Sequence, residues 1–104
     1  MAERVFHTVA RVGEMVEGEG RLVEVEGRMV ALFLEQGAYY AIDDICPHQG
    51  ASLSEGLVFD KSVTCNWHGW RFSLEDGRHM GGTSCRVATY PVLVVGEEIQ
   101  VAVE

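Results

Sequence analysis

The chain has 104 residues, of which 47% are hydrophobic, and its formal net charge is −8. This length and composition predict one folded domain, residues 1–104, and argue against a disordered segment. The excess of acidic residues excludes nucleic acid as an expected partner, because phosphate groups would be repelled. The charge suits a basic patch on a partner protein, although solubility alone is the simpler explanation.

The cellular location is predicted from the cysteines and from the N-terminus. Three cysteines are an odd number and do not indicate a framework of paired disulfides. Residues 1–10 include charged side chains and no long apolar run, so we expect no signal peptide. No stretch reaches the roughly 20 apolar residues of a membrane-spanning helix. We therefore expect a cytoplasmic protein, in a reducing compartment where thiols persist, with no membrane partner.

Short apolar stretches separated by glycine-containing turns make up the first half of the chain. Residues 6–9 alternate between apolar and polar, which indicates an edge strand. Residues 29–34 are almost all apolar, which favours a strand covered on both faces. Strands at residues 21–25 and 39–42 would flank it in an antiparallel meander.

The second half repeats this pattern of short strands and turns. No window has the apolar spacing of a helix, and turn residues recur about every 8–12 residues. The sequence therefore predicts an all-β fold, an antiparallel sandwich or small barrel, with an irregular third loop near residues 80–85. Its further strands are expected at residues 57–59, 63–64, 71–74, 90–95 and 99–103.

Two short loops each contain one cysteine and one histidine. One residue separates Cys46 from His48, and two residues separate Cys65 from His68. Chance placement or a Cys46–Cys65 disulfide would leave the paired histidines unexplained. Zinc accepts two thiolates and two imidazoles, but zinc fingers usually pair cysteine with cysteine and histidine with histidine. A mixed loop suits a site with two metal ions better, although zinc stays an alternative.

The motifs CPHQG at residues 46–50 and CNWHGW at residues 65–70 resemble the two-loop signature of the Rieske [2Fe–2S] family. The segments ASLSEG at residues 51–56, WRF at residues 70–72 and YPV at residues 90–92 also resemble small Rieske ferredoxins. The resemblance implies an antiparallel β sandwich or barrel with a small two-loop cluster-binding subdomain at about residues 43–86. It also implies that one [2Fe–2S] cluster is bound through four ligands, with cysteines on the buried iron and histidines on the outer iron. These ligands are Cys46, Cys65, His48 and His68.

The ligand set that the resemblance implies also bears on the reduction potential. Two ferric ions, two sulfides, two thiolates and two neutral imidazoles sum to zero charge, whereas a four-cysteine site would be more negative and harder to reduce. High-potential members are similar to one another in having a disulfide between the loops and hydroxyl donors where this chain has Trp70 and Phe72. Neither residue has an O–H group, so we predict a midpoint of about −150 mV.

Three functions follow from these residues and the resemblance. The first is a stand-alone ferredoxin that carries single electrons from a flavoprotein reductase to a terminal oxygenase and is not itself an enzyme. The second is the small Rieske subunit of an NAD(P)H-dependent nitrite reductase, which the chain resembles in size and in its YPV segment. Many such subunits lack the ligands, so the presence of all four favours the first. The third is a zinc-stabilised interaction module.

No residue of the chain is expected to be catalytic. Structural roles are expected for five residues that are not ligands. We expect surface or packing roles for His7 and His79, which lie outside the motif. Cys85 is expected to be a thiol packed near the cluster. For Trp67 and Trp70 we expect core packing and cluster shielding, with docking of a partner as the alternative.

Overall fold

The computed structural model describes residues 5–46, 50–65, 69–81 and 85–103, which form ten strands and two short 3₁₀ helices. The 3₁₀ helices are Val12–Glu14 and Leu53–Glu55. In chain order the strands are β1 (His7–Arg11), β2 (Gly20–Val25), β3 (Arg28–Glu35), β4 (Ala38–Asp43), β5 (Leu57–Phe59), β6 (Ser62–Thr64), β7 (Arg71–Ser73), β8 (Thr89–Tyr90), β9 (Val92–Val95) and β10 (Glu98–Val101).

The strands form three antiparallel sheets. The first sheet has the order β1-β10-β9, the second β2-β3-β4-β8 and the third β5-β6-β7. The meander of β2, β3 and β4 and the edge position of β1 confirm the prediction from the sequence. In sequence, β5 and β6 lie between the two cysteine-containing loops and β7 follows the second loop, so β6 leads directly into Cys65.

Strand β3 lies between two hydrophobic cores. Val30 and Leu32 belong to one core, together with residues of β10, while Ala31 and Phe33 belong to the other, together with both loop cysteines. All four side chains are fully buried. Successive residues of a strand point to opposite faces, so a strand covered on both sides needs a continuous apolar run. This confirms the prediction for residues 30–33, whereas Met29 is 43% exposed and Leu34 is half-buried.

The third sheet is attached to the end of β3 through a polar contact. Asp60 and Lys61 form the turn between β5 and β6, and both have a positive φ, of 52° and 61°. Two such residues make a turn whose twist matches the flanking strands. The backbone N–H of Lys61 donates to Oε2 of Glu35 at 3.1 Å, and Glu35 is buried. This contact fixes the hairpin that delivers the second loop.

The structure corrects two predictions. Residues 90–95 do not form one strand, because the chain changes sheets at Pro91. Tyr90 pairs with Ala41 of the second sheet, and Val92 pairs with Val101 of the first. Proline has no N–H to continue a ladder, so a change of sheet there costs no hydrogen bond. The two 3₁₀ helices were not predicted, because a single turn leaves no apolar periodicity.

No helix in the described ranges is long and apolar enough to cross a membrane.

Candidate metal centre

The two loops have the same backbone closure. The N–H of Cys46 donates to the carbonyl of Ala51 at 2.8 Å, and the N–H of Cys65 donates to the carbonyl of Trp70 at 2.6 Å. Each hydrogen bond therefore joins the cysteine to the residue five positions later. The residue before each acceptor is a glycine with positive φ, 77° at Gly50 and 71° at Gly69. Such a backbone conformation strains any residue with a Cβ, which explains a glycine at the same place in both loops.

Antiparallel pairs flank both closures. Ile45 bridges to Ser52 around the first loop, and Thr64 pairs with Arg71 around the second. Each loop is therefore the tip of a hairpin-like segment whose two sides are held together. Both hairpin-like segments place a cysteine at the first position of the tip.

The two cysteines lie in one hydrophobic core. Cys46 and Cys65 are each 1% exposed and share this core with Ala51 and Phe72. Cys46 is not part of a disulfide among the described residues, which removes the Cys46–Cys65 disulfide that the sequence left open. A metal ion binds cysteine as the thiolate and compensates its charge, which allows such a ligand to lie in an apolar core. The donor set present therefore fits a thiolate-bound metal centre.

The predicted histidine ligands, His48 and His68, lie outside the described residues, as does Trp67. Within the described ranges no group of three or more His, Cys, Asp or Glu side chains converges on one point. Of the predicted ligand set, the structure describes the two cysteines, and it places them in one hydrophobic core.

Asp44 supports the first loop through a network that we call the polar clamp, formed by Asp44, Ser52 and Ser54. The carboxylate of Asp44 accepts from Oγ of Ser52, at 2.8 Å to Oδ1 and 2.7 Å to Oδ2, and from the N–H of Ser54 at 2.9 Å. The hydroxyls of Ser52 and Ser54 lie 2.9 Å apart. Asp44 is only 2% exposed, so these hydrogen bonds are shielded from water.

Packed rings support the second loop, in what we call the aromatic stack of Trp70, Phe72 and His79. The ring of His79 lies parallel to that of Trp70, with centroids 4.0 Å apart and 12° between the planes, and tilted against Phe72 at 5.6 Å. His79 is 8% exposed, which confirms a packing role for this histidine. A Cβ on Gly81 would lie 2.8 Å from the His79 ring, so a larger residue there would displace the ring from the stack.

His79 also connects the second loop to the third. Its N–H donates to the carbonyl of Cys85 at 3.0 Å, and the N–H of Met80 donates to the carbonyl of Arg71 at 2.8 Å. Cys85 is half-buried. A position of its thiol beside the cluster stays a prediction.

Sequence reasoning missed Asp44, Ser52 and Ser54, and it did not foresee that His79 would stack on Trp70. The available signal was the combination of Asp-x-Cys with Ser-x-Ser directly after the loop. Serine and aspartate near a strand end are often capping or turn residues, and this pattern would have indicated a local hydrogen-bonded closure.

Two titratable groups near the loops have shifted pKa values. Burial raises the pKa of Tyr90, as does the hydrogen bond that its hydroxyl donates to Asp43, the last residue of β4. The backbone N–H of Arg78 donates to Oδ1 of Asp76 at 3.0 Å and lowers the pKa of that exposed carboxyl. Asp43 also accepts from the N–H of Ala88, so it ties the end of β4 to the segment that leads into β8.

Known proteins are similar to this chain in sequence and in fold. The family model described as the Rieske [2Fe-2S] domain matches residues 5–91. The chain is 33% identical over 97 residues to the ferredoxin component of the alkene monooxygenase system of Xanthobacter autotrophicus, covering 92% of this chain and 80% of that protein. It is 32% identical over 102 residues to the ferredoxin component of the naphthalene 1,2-dioxygenase system of Pseudomonas aeruginosa, covering 97% of each.

A solved structure has the same fold as this chain. The fold matches a protein of Mycobacterium tuberculosis assigned as the small subunit of an NADH-dependent nitrite reductase, with a TM-score of 0.93 and 30% identity. The match covers 99% of this chain and 98% of that one. This similarity confirms the all-β, Rieske-like fold.

The chain belongs to the Rieske [2Fe–2S] domain family. Its cofactor is accordingly one [2Fe–2S] cluster, and its activity is electron transfer. Since the relatives are named as ferredoxin components, the chain is an electron carrier and not an enzyme in its own right. This assignment leaves the zinc-stabilised interaction module without support.

Proposed function

We propose that Cys46, His48, Cys65 and His68 are the four ligands of the cluster. The observation that carries this assignment is the pair of buried cysteines at the same position of two identically closed loops. The histidines follow from the motif, one within each loop. The cysteines would hold the buried iron and the histidines the outer iron. The whole chain would be one domain, with the cluster-binding subdomain at about residues 43–86.

When bound, the cluster accepts and releases one electron at a time. The protein's own contribution is to exclude water from the two thiolates and to limit the hydrogen bonds that reach the sulfur atoms. Phe72 is fully buried and has no polar atom, and Trp70 has no hydroxyl group. Hydrogen bonds to sulfur stabilise the reduced, more negative state. We therefore place the midpoint near the low end of the Rieske range, at about −150 mV.

The partners of this carrier would be a flavoprotein reductase, which donates the electron, and a terminal oxygenase, which accepts it. The two oxygenase-system ferredoxins support this assignment, because the match covers nearly all of the naphthalene dioxygenase ferredoxin. With a net charge of −8, the chain would be steered toward basic patches on both partners. The presence of thiolate ligands also supports a cytoplasmic location, where reducing conditions keep thiols intact.

The experiment starts with anaerobic purification and metal analysis. We expect reddish-brown protein with about two iron atoms per chain and a rhombic EPR signal on reduction. Voltammetry then measures the midpoint, and a value above zero would contradict the low-potential assignment. Colourless, iron-free protein would contradict the ligand set itself.

Electron transfer is tested with the partners of the naphthalene dioxygenase system. Stopped-flow absorbance should show reduction of this chain by the NADH-reduced reductase and reoxidation by the terminal oxygenase. Because charges steer the encounter, both rates should fall as salt is raised. Failure with both partners, from a protein that holds its cluster, would contradict exchange with the naphthalene dioxygenase system and leave electron transfer intact.

The second candidate is the small subunit of an NAD(P)H-dependent nitrite reductase. The high structural similarity to the nitrite reductase small subunit supports it. A tagged form of this chain, used as bait in its own organism, distinguishes the two: recovery of a nitrite reductase large subunit favours this candidate, and recovery of an oxygenase favours the first.

A further inference from the structure

We propose that Asp44 is a positioning residue for the first ligand loop. Its buried carboxylate ties residues 52–54 to the end of β4 and so fixes the two ends of the segment that contains Cys46 and His48. The proposal rests on the ligand assignment made above. It assigns a role in cluster retention to a residue that does not touch the metal.

Asp44 joins three parts of the fold. Its side chain accepts from Ser52 and Ser54, as described for the polar clamp. Its backbone carbonyl accepts from the N–H of Leu53 at 2.6 Å, and its own N–H donates to the carbonyl of Met29 at 3.1 Å. One residue therefore connects β3, the end of β4 and the second 3₁₀ helix.

The clamp acts directly on the loop closure. Ser52, which Asp44 holds, is the bridge partner of Ile45. It also follows Ala51, whose carbonyl accepts the N–H of Cys46. A movement of Ser52 away from Asp44 would therefore displace the acceptor for the cysteine backbone. Two hydrogen bonds therefore link Asp44 to Cys46: Ser52 donates to Asp44, and Cys46 donates to Ala51, the neighbour of Ser52 in the chain.

The charge of Asp44 is compensated only by hydrogen-bond donors in the described structure. Among the described residues the ion pairs involve Glu14, Glu26 and Glu75 but not Asp44. A buried carboxylate costs several kcal/mol unless donors surround it, and here the hydroxyl of Ser52, which lies within reach of both carboxylate oxygens, and the N–H of Ser54 do so. An apolar residue at position 44 would avoid this desolvation cost, but it could not hold Ser52 and Ser54 in one orientation. Directional contacts at the base of a ligand loop are what positioning requires.

The neighbouring carboxylate provides a matched control. Asp43 bonds to Tyr90 and to the N–H of Ala88, and neither contact lies in the first loop. Asp43→Ala and Asp44→Ala remove the same group from adjacent positions. Asp44→Ala loses the contacts to Ser52 and Ser54 that hold the first loop, whereas Asp43→Ala loses contacts to residues outside that loop.

The test measures how fast holoprotein loses its visible absorbance in an iron chelator. We expect Asp44→Ala to lose the cluster about tenfold faster than wild type, as for other groups that orient metal ligands. Asp44→Asn should stay within about threefold, because an amide can accept from Ser54 and donate to Ser52. Asp43→Ala should match wild type. Equal loss from Asp43→Ala and Asp44→Ala would overturn the proposal.

Two further measurements separate positioning from simple stability. The EPR spectrum of the reduced cluster should change in Asp44→Ala and not in Asp43→Ala, and unchanged spectra in both would overturn the proposal. If Asp44→Ala does not fold, Ser52→Ala removes the same two contacts from the other side. Cluster loss from Ser52→Ala at the wild-type rate would also overturn it. Wild-type protein without iron would refute the ligand assignment and this proposal together.

Discussion

The two ligand loops have the same backbone and different side-chain support. Each begins with a buried cysteine whose N–H bonds to the carbonyl five residues on, and each has a left-handed glycine before that acceptor. The first loop is held by the polar clamp and the second by the aromatic stack. The same loop geometry can therefore be stabilised either by directional hydrogen bonds or by ring packing.

The two kinds of support should respond differently to substitution. A hydrogen bond to a charged group contributes about 1.5–3 kcal/mol and depends on one acceptor position. Stacked rings contribute about 0.5–1.5 kcal/mol beyond the area that they bury, and this term tolerates a change of ring. The first loop should therefore be sensitive to loss of a particular atom, and the second to loss of ring area.

The largest effect is expected from removing a ligand of the second loop rather than a member of its stack. His68→Ala should abolish the visible spectrum, because it removes a proposed ligand. His79→Ala should keep the spectrum, because His79 packs on Trp70. It should lower the free energy of unfolding by about 1–2 kcal/mol through the lost ring contact. Absorbance spectra and urea titrations of the holoproteins check both results.

A ring replacement serves as the control for His79. His79→Phe keeps an aromatic surface against Trp70 and Phe72 and should recover most of the stability that His79→Ala loses. If His79→Ala lost the cluster as completely as His68→Ala, the assignment of His68 as the ligand would be wrong. If His79→Phe were no better than His79→Ala, ring packing would not be the support.

Much of the fold was accessible from the sequence because it depends on patterns that the local chain carries. The continuous apolar run of β3 and the glycine turns identified the meander, and the two motifs identified the loops. The polar clamp was missed because Asp44 and Ser52 come together only when Ile45 pairs with Ser52 across the loop. The stack was missed for the same reason, since Phe72 and His79 meet through a bridge across a hairpin.

An intermediate effect is expected when a hydroxyl is introduced into the second loop. Trp70→Ser adds an O–H group where the high-potential members have a hydroxyl donor, but it also removes the ring that stacks on His79. Trp70→Ala removes the ring without adding a donor and is the matched control. The midpoint of Trp70→Ser should exceed that of Trp70→Ala by about 60 mV, the equivalent of one hydrogen bond of about 1.4 kcal/mol.

Protein-film voltammetry of the two variants measures this difference. Equal midpoints would mean that a hydroxyl at position 70 does not reach the cluster sulfur. A lower midpoint for Trp70→Ser would contradict the explanation of the low potential, because a new donor can only stabilise the more negative state.

The smallest effect is expected from Tyr90, whose polar contact lies beside the first loop but outside it. Burial and the hydrogen bond to Asp43 raise the pKa of Tyr90, so the folded state favours the neutral phenol. The resulting stability is fully present below the ordinary tyrosine pKa of about 10 and is lost as pH rises through the higher folded value. Tyr90→Phe should lower the free energy of unfolding by about 1 kcal/mol at neutral pH and should flatten this alkaline decline.

Urea titrations at pH 7 and at alkaline pH, with the chelator assay in parallel, separate Tyr90 from the polar clamp. Because Tyr90 bonds to Asp43 and not to the residues of the clamp, Tyr90→Phe should lose its cluster at the wild-type rate even where its stability is lower. Faster cluster loss in Tyr90→Phe would mean that any polar contact near the end of β4 supports the first loop. The support of the first loop would then not depend on the particular atoms of the polar clamp, and it would not differ in kind from the ring packing that supports the second loop.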